Sequence, residues 1–284
     1  MMLLNITPSG NDLQRKMLLN HSSNIRNLFI VLLLLIPFAI FIGDYYSNNS
    51  NGNSMNQDLL RNVAKIIVNG DESISQGTAF LVCNSDGTAS GYLFTARHVI
   101  DGTNSEHVTL IFPKILKEDE TPLTTTASIV WASNVPFDGA DLQTLRYDVG
   151  LMKLDDISVL PDDVVGFFIG SEMNIKDPIA IYGFPKSHEY ANSGEISSTE
   201  YSGEKDLMLL SCELEHGLSG SPVYREESGE VLGIAIASEE QTNIINIALK
   251  MSRVRELLDR DGKKDLIKCM LMYNVYFDIP SSYT

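Results

Sequence analysis

Short β-rich runs separated by polar turns fill the sequence between residue 58 and about residue 250. Many short strands at regular spacing are typical of an all-β sandwich or of a pair of barrels. The predicted strands are 63–68, 78–83, 92–95, 107–112, 127–132, 149–154, 178–182, 207–212, 222–224, 231–237 and 243–249. Residues 252–260 instead have a helical period, with Ser252 as the expected N-cap. The sequence therefore predicts an all-β body that ends in a helix.

The charge of the chain limits the partners that it can have. Its 284 residues allow one domain of about 200 residues plus additional segments, or two small domains. The formal net charge is −16, whereas a nucleic-acid partner would call for a basic face. Residues 1–43 hold three basic residues and one acidic residue, so the acidic excess lies in the remainder. We therefore expect no nucleic-acid partner, and a basic leader before an acidic body.

The chain contains three cysteines, Cys83, Cys212 and Cys269. The number is odd and the spacing resembles no metal site, so we expect neither a metal nor another cofactor. Our first interpretation is that the cysteines are free and mostly buried thiols. A Cys83–Cys212 bridge is the alternative. The fold is not expected to depend on disulfides.

An uninterrupted apolar run extends over residues 28–42, with basic residues before it and Asp44 after it. Such a run is typical of a targeting or membrane segment. As a helix it would cover about 22 Å, a little less than a hydrocarbon core, which suits a signal peptide. Residues 41–43, however, do not form a small-x-small cleavage site. We favour an uncleaved signal anchor over a cleaved signal peptide.

The segment 215–222 places Ser219 between Gly217 and Gly220, with apolar runs on both sides. Glycine permits a positive φ and puts no side chain in the way. The segment could expose one hydroxyl and direct nearby backbone N–H groups at a common point, as in a nucleophile beside an oxyanion hole. A tight polar turn would look similar, so the rest of the chain must supply a base and an orienting acid.

His98 stands at the end of an apolar run and is the candidate base, because the pKa of histidine lies near working pH. His216 is close to Ser219 in sequence and is more suited to lining the site. Asp148 opens an apolar strand, where an acid is costly to bury unless it is paired. A histidine N–H would pair it and fix the tautomer that accepts a proton. An aspartate in a turn before a strand is the alternative.

These motifs resemble those of trypsin/chymotrypsin-fold serine proteases, of the HtrA-type or glutamyl-endopeptidase-like branch. The matching segments are GTAFLV (77–82), FTARHVI (94–100), YDVGLMKL (147–154), IAIYGFP (179–185) and HGLSGSPV (216–223). The resemblance covers about 60–260, and the order His, Asp, Ser is that of the chymotrypsin group. It implies two six-stranded antiparallel β-barrels (chymotrypsin-like) with a C-terminal helix, preceded by an N-terminal hydrophobic segment.

The resemblance also implies roles for individual residues. Ser219 would attack the scissile carbonyl, and His98 would take its proton and pass it to the leaving amine. Asp148 would orient His98 and stabilise its charged form. The backbone N–H groups of Gly217 and Ser219 would form the oxyanion hole.

The chain departs from the best-known members of this group. Trypsin-like enzymes carry an aspartate before the serine, which pairs with a freshly cut N-terminus, and Leu218 excludes that ion pair. Only about 25 residues follow the predicted helix, too few for a PDZ domain. Glutamyl endopeptidases carry histidine after the Gly-Ile of the pocket strand. Here Ala235 follows, so a preference for glutamate is not supported.

The substrate pocket is predicted to include His216, Ala235 and Ala237. The small side chains on the pocket strand would leave room for a medium apolar side chain before the cut. Glu213 and Glu215 could favour basic residues, but we expect them to face solvent.

The resemblance and the composition together divide the chain into five parts. They are a basic N-terminal region (1–27), a transmembrane signal anchor or signal peptide (28–43), a flexible linker (44–57), a trypsin-like protease domain (58–262) and a C-terminal tail (263–284). This organisation places the protease domain outside the cytoplasm, either tethered to the membrane or secreted after signal cleavage.

We predict a serine endopeptidase that acts on a protein or peptide substrate. The competing hypothesis is a catalytically silent protein of protease fold that serves as a binding or scaffold module. The complete set of His98, Asp148 and Ser219 favours the enzyme.

Overall fold

The computed structural model describes only part of the chain, and the described part begins after the predicted linker. The described residues are 58–69, 74–101, 106–136, 138, 141–170, 172–225, 228–238 and 245–267. No helix within these ranges is long and apolar enough to cross a membrane. The predicted anchor at 28–43, the linker at 44–57 and the tail beyond residue 267 lie outside the described residues.

Six antiparallel strands close the first barrel in the order β1-β2-β3-β6-β5-β4. They are β1 (Val63–Asn69), β2 (Ile74–Cys83), β3 (Ala89–Thr95), β4 (His107–Leu116), β5 (Pro122–Ala132) and β6 (Gly150–Leu154). The short helix α1 (Arg97–Ile100) follows β3, and the short helix α2 (Leu142–Leu145) precedes β6. Asp141 caps α2, because its side chain accepts a hydrogen bond from the N–H of Gln143.

Six further antiparallel strands close the second barrel in the order β10-β11-β12-β9-β8-β7. They are β7 (Pro178–Gly183), β8 (Tyr190–Ser198), β9 (Leu207–Leu210), β10 (Pro222–Arg225), β11 (Val231–Ser238) and β12 (Asn246–Lys250). Short 3-10 turns lie at Ile157–Val159, Pro185–Ser187 and Lys264–Leu266. The predicted pair of six-stranded antiparallel barrels is confirmed.

An apolar core extends from the first barrel toward the second. Phe80 lies 5.9 Å from Phe167 between ring centroids, and Phe167 lies 5.7 Å from Tyr224 on β10. These distances are within the range of favourable aromatic pairs. Phe167 belongs to the segment between the barrels, and its carbonyl accepts the N–H of Cys83. The aromatic contacts therefore join the two barrels through their connecting segment.

The C-terminal helix α3 spans Met251–Arg260, close to its predicted position. Its buried side chains are Met251, Val254, Leu257 and Leu258, as the apolar stripe indicated. The prediction that Ser252 is the N-cap is wrong. The N-cap is Lys250, without a side-chain cap, because β12 pairs with β11 up to Lys250 and the helix begins at the next residue.

The cysteine prediction is wrong in part. Cys83, at the end of β2, is disulfide-bonded. Cys212 is a free, buried thiol, which excludes a Cys83–Cys212 bridge. Sequence spacing alone could not reveal the pairing of Cys83, because disulfide formation depends on the distance between Cα atoms in the fold.

Candidate active site

His98 lies in the short helix α1, which follows β3 of the first barrel. The helix has only four residues, and the burial of Val99 and Ile100 fixes it against the barrel. The His98 side chain keeps 26% of its surface exposed. The fold therefore presents the imidazole at the edge of the core, where one face can meet a substrate.

Asp148 is fully buried just before β6. Its Oδ2 atom lies 2.7 Å from Nδ1 of His98, and its Oδ1 atom accepts the backbone N–H of His98 at 2.9 Å. An ionised carboxylate only accepts hydrogen bonds, so the proton of a neutral His98 ring belongs on Nδ1. Nε2 is then the basic nitrogen, on the far side of the ring. The two hydrogen bonds offset the cost of burying the carboxylate.

The loop that carries Ser219 requires its two glycines. Gly217 has φ +101° and Gly220 has φ +87°, both in the region that side chains disfavour. A Cβ atom on Gly217 would come within 2.6 Å of the Phe184 carbonyl oxygen. One on Gly220 would come within 2.1 Å of the Thr78 carbonyl oxygen. The loop can therefore take this path only with glycine at both positions.

Backbone hydrogen bonds attach this loop to both barrels. The carbonyl of Ser219 accepts the N–H of Thr78 at 2.9 Å, from the first barrel. The N–H of Gly220 donates to the carbonyl of Ala235 at 2.7 Å, from the second barrel. Leu218 is completely buried in the apolar cluster of the second barrel. The loop thus lies at the junction of the barrels, with the half-buried Ser219 between two anchored neighbours.

The peptide between His216 and Gly217 has a defined orientation. The carbonyl of His216 accepts the N–H of Lys186 at 3.3 Å. Because C=O and N–H point in opposite directions across a trans peptide, the N–H of Gly217 points away from Lys186. Among the described residues, neither this N–H nor that of Ser219 donates to another backbone group. Both donors suit an acceptor from outside the chain.

The predicted pocket residues have different surroundings. His216 is exposed, whereas Ala235 is fully buried and uses its backbone to hold the Ser219 loop. Ala237 lies on β11, but its side chain is outside the described part of the structure. Glu213 and Glu215 are both exposed, as expected. The contact of His98 with Ser219 and the pocket itself stay predictions.

Thr78 is the residue that the sequence analysis missed. It lies in the GTAFLV motif, and its hydroxyl donates to the carbonyl of Gly217 at 2.8 Å. The residue is completely buried. A threonine on a strand is common and does not by itself indicate a function. The sequence signal available was that Thr78 is polar while the rest of its motif is apolar or small. Only the fold shows that this position faces the serine loop.

Two closed antiparallel barrels, with a histidine–aspartate pair on the first and a serine loop at their junction, are the architecture of serine-type endopeptidases, and the protein is of this class. The particular family follows from its sequence. The family model described as "Trypsin-like peptidase domain" matches residues 77–234, more than half of the chain. The chain belongs to this family. No curated protein matches the sequence significantly.

Solved structures agree on the fold. The active form of the Rv3671c protease from M. tuberculosis has a TM-score of 0.52 and 18% identity, with 72% of this chain and 82% of that chain covered. The serine endoprotease from Yersinia pestis has a TM-score of 0.52 and 20% identity, with 73% and 67% covered. At this identity the similarity establishes the architecture alone.

Proposed function

We propose that the protein hydrolyses peptide bonds by a triad of His98, Asp148 and Ser219. The observation that carries the proposal is the double contact of Asp148 with His98, through Nδ1 and through the backbone N–H. A fully buried carboxylate aligned on an imidazole in this way is the orienting element of a general base. A carboxylate in an ordinary turn would be exposed and would not need two such partners.

The reaction would proceed through an acyl-enzyme. The Ser219 hydroxyl oxygen bonds to the scissile carbonyl carbon while Nε2 of His98 takes its proton. The C–N bond then breaks, and His98 returns the proton to the leaving amine. A water molecule repeats both steps on the ester, which releases the acid product and regenerates the serine. Asp148 stays ionised throughout and stabilises the imidazolium.

The negative charge that develops on the carbonyl oxygen would be stabilised by the N–H groups of Gly217 and Ser219. The hydrogen bond from Lys186 to the His216 carbonyl supports this role, because it directs the Gly217 N–H away from Lys186. Donors fixed before the reaction stabilise the transition state without reorganisation. His216, Ala235 and Ala237 are proposed to shape the pocket for a medium apolar side chain.

We further propose that the protease domain (58–262) works outside the cytoplasm, tethered through residues 28–43 and the linker 44–57. The apolar run and its basic flank support this arrangement. A cell that produces the full chain should show the protein in the membrane fraction, accessible to added protease only from the outer side. A soluble exported product that begins after residue 43 would instead indicate a cleaved signal.

The experiment that tests the activity compares Ser219→Ala with Ser221→Ala in the full chain. Ser221 lies two residues away and is fully buried, so it is a matched control of the same residue type. We expect Ser219→Ala to lose peptide cleavage and labelling by a fluorophosphonate probe, with an unchanged circular dichroism spectrum. Ser221→Ala should keep both.

Cleavage retained in Ser219→Ala would remove Ser219 from the mechanism. A wild-type protein that is folded but neither cleaves peptides nor reacts with the probe would favour the silent binding or scaffold module.

A further inference from the structure

Thr78 links the two barrels through its hydrogen bonds. It belongs to β2 of the first barrel, yet its side chain contacts two loops of the second. Its hydroxyl donates to the Gly217 carbonyl at 2.8 Å and accepts the N–H of Phe184 at 3.2 Å. Its backbone N–H donates to the Ser219 carbonyl at 2.9 Å. One buried residue therefore holds three backbone groups around the candidate nucleophile.

These contacts fix consecutive peptide units of the serine loop. The His216–Gly217 peptide is held by Lys186, and the Gly217–Leu218 peptide is held by the Thr78 hydroxyl. With its carbonyl and the preceding one both engaged, Gly217 cannot rotate about its own φ and ψ without breaking a hydrogen bond. Glycine is the residue most able to rotate in this way, so an external restraint matters most here.

We propose that Thr78 is a positioning residue for the endopeptidase reaction, whose hydroxyl keeps the N–H group of Gly217 directed at the substrate carbonyl. The inference rests on the proposed function. The same hydroxyl would help to order a loop that has Leu218 in place of an ion-pairing aspartate. The hydroxyl acts through the loop and does not touch the substrate.

The surroundings of the hydroxyl leave it little freedom. A Cβ atom on Gly183 would lie 2.7 Å from Thr78 Oγ1, so the small residue at 183 makes room for it. The side chain of Thr95 donates to the Thr78 carbonyl at 2.8 Å and fixes the strand from the other side. Thr78 is thus held rigidly enough to hold the loop in turn.

The test compares Thr78→Val, Thr78→Ser and Ser90→Ala in the full chain. Valine keeps the shape of threonine and removes the hydroxyl, whereas serine restores it. We expect Thr78→Val to lower kcat about 10- to 100-fold with KM changed less than about threefold, because loosening donors costs less than the 10²–10³-fold loss on removing one. Thr78→Ser should recover kcat to within about threefold of wild type.

Ser90→Ala is the control, since the half-buried Ser90 hydroxyl also donates to a backbone carbonyl, that of Val82 at 2.7 Å, and accepts a backbone N–H, that of Tyr92 at 3.1 Å, but both partners belong to the first barrel. It should lower Tm to a similar extent as Thr78→Val while kcat stays within about threefold of wild type. The rate of fluorophosphonate labelling should fall in Thr78→Val and not in Ser90→Ala. If Thr78→Val does not fold, Thr78→Ala provides the same comparison without the added methyl group.

A folded Thr78→Val with wild-type kcat would overturn the inference, as would equal loss of kcat in all three variants in proportion to Tm. If Ser219→Ala is inactive and Thr78→Val is fully active, only the role of Thr78 fails. If Ser219→Ala keeps cleavage, the proposed function itself fails.

Discussion

Asp148 holds His98 at two points, through the ring Nδ1 at 2.7 Å and through the backbone N–H at 2.9 Å. The second bond fixes where the helix α1 begins relative to β6, and the first fixes how the ring is turned. A single buried side chain therefore controls both the position and the tautomer of the candidate base.

Asp148→Asn should lower kcat about 10⁴-fold, because an amide can accept the backbone N–H but presents its NH₂ group to Nδ1 and imposes the wrong tautomer. The control is Asp155→Asn. His107 Nδ1 lies 2.9 Å from Asp155 Oδ2 in a similar but exposed pair on the first barrel. Steady-state peptide cleavage should be unchanged in Asp155→Asn. A kcat within tenfold of wild type in Asp148→Asn would contradict the role of Asp148.

Gly220→Ala should destabilise the protein by about 2–5 kcal/mol, from the positive φ and from the contact of the new Cβ with the Thr78 carbonyl. Gly203→Ala is the control, since Gly203 has φ +83° but no atom within 4 Å of the added Cβ. It should cost about 1 kcal/mol. Urea unfolding of both variants measures the difference, and equal losses would show that the close approach is unimportant.

Cys212 should resist alkylation in the folded protein. Burial raises the pKa of its thiol to about 11, so about 0.1% is thiolate at pH 8. Iodoacetamide treatment at pH 8 followed by peptide mapping should find Cys212 unmodified in buffer and modified in urea. The Cys83 peptide should stay unmodified in both until a reductant is added, because Cys83 is in a disulfide. Rapid native labelling of Cys212 would contradict its burial.

Asp177 should contribute stability that depends on pH. The N–H of Asn174 lowers the pKa of Asp177, burial opposes this effect, and the Arg225 guanidinium at 3.0 Å lowers the pKa further. Because the folded-state pKa lies below the unfolded value of about 4, the stabilisation is complete above that pH and is lost as pH falls through the folded-state pKa.

Asp177→Asn should therefore lower the free energy of unfolding by about 1 kcal/mol at pH 7 and by less at pH 3, measured by urea unfolding at both values. Asp163→Asn removes a comparable partner of Arg61, but the Asp163 side chain is 71% exposed. No measurable change is expected there. A loss for Asp177→Asn that is as large at pH 3 as at pH 7 would contradict the assignment.

The sequence was most informative where apolar residues follow one another in a short run. Residues 63–68 and 231–237 are apolar runs and become β1 and β11. The strand β8 (Tyr190–Ser198) was not predicted, because most of its side chains are partly or fully exposed and Ile196 is its one buried residue. A strand that joins a barrel through its backbone and buries a single side chain leaves little trace in the hydrophobic pattern.

The candidate site was predictable only where its residues belong to local sequence motifs. Ser219, His98 and Asp148 belong to local motifs, and each motif can be recognised in its own segment. Thr78 and the disulfide of Cys83 depend on which distant segments meet, so no local pattern marks them. The membrane segment and the C-terminal tail lie outside the described residues, and the predictions made for them stay predictions.

Leu218 has a consequence for when the protein could become competent. Its side chain lies in the core of the second barrel, so the path of the serine loop is tied to the packing of that barrel. A loop with leucine at this position has no carboxylate that could pair with a newly released amino terminus. The folded protein would then be active without a zymogen step at this loop. A cell would control its activity through the synthesis and the location of the protein.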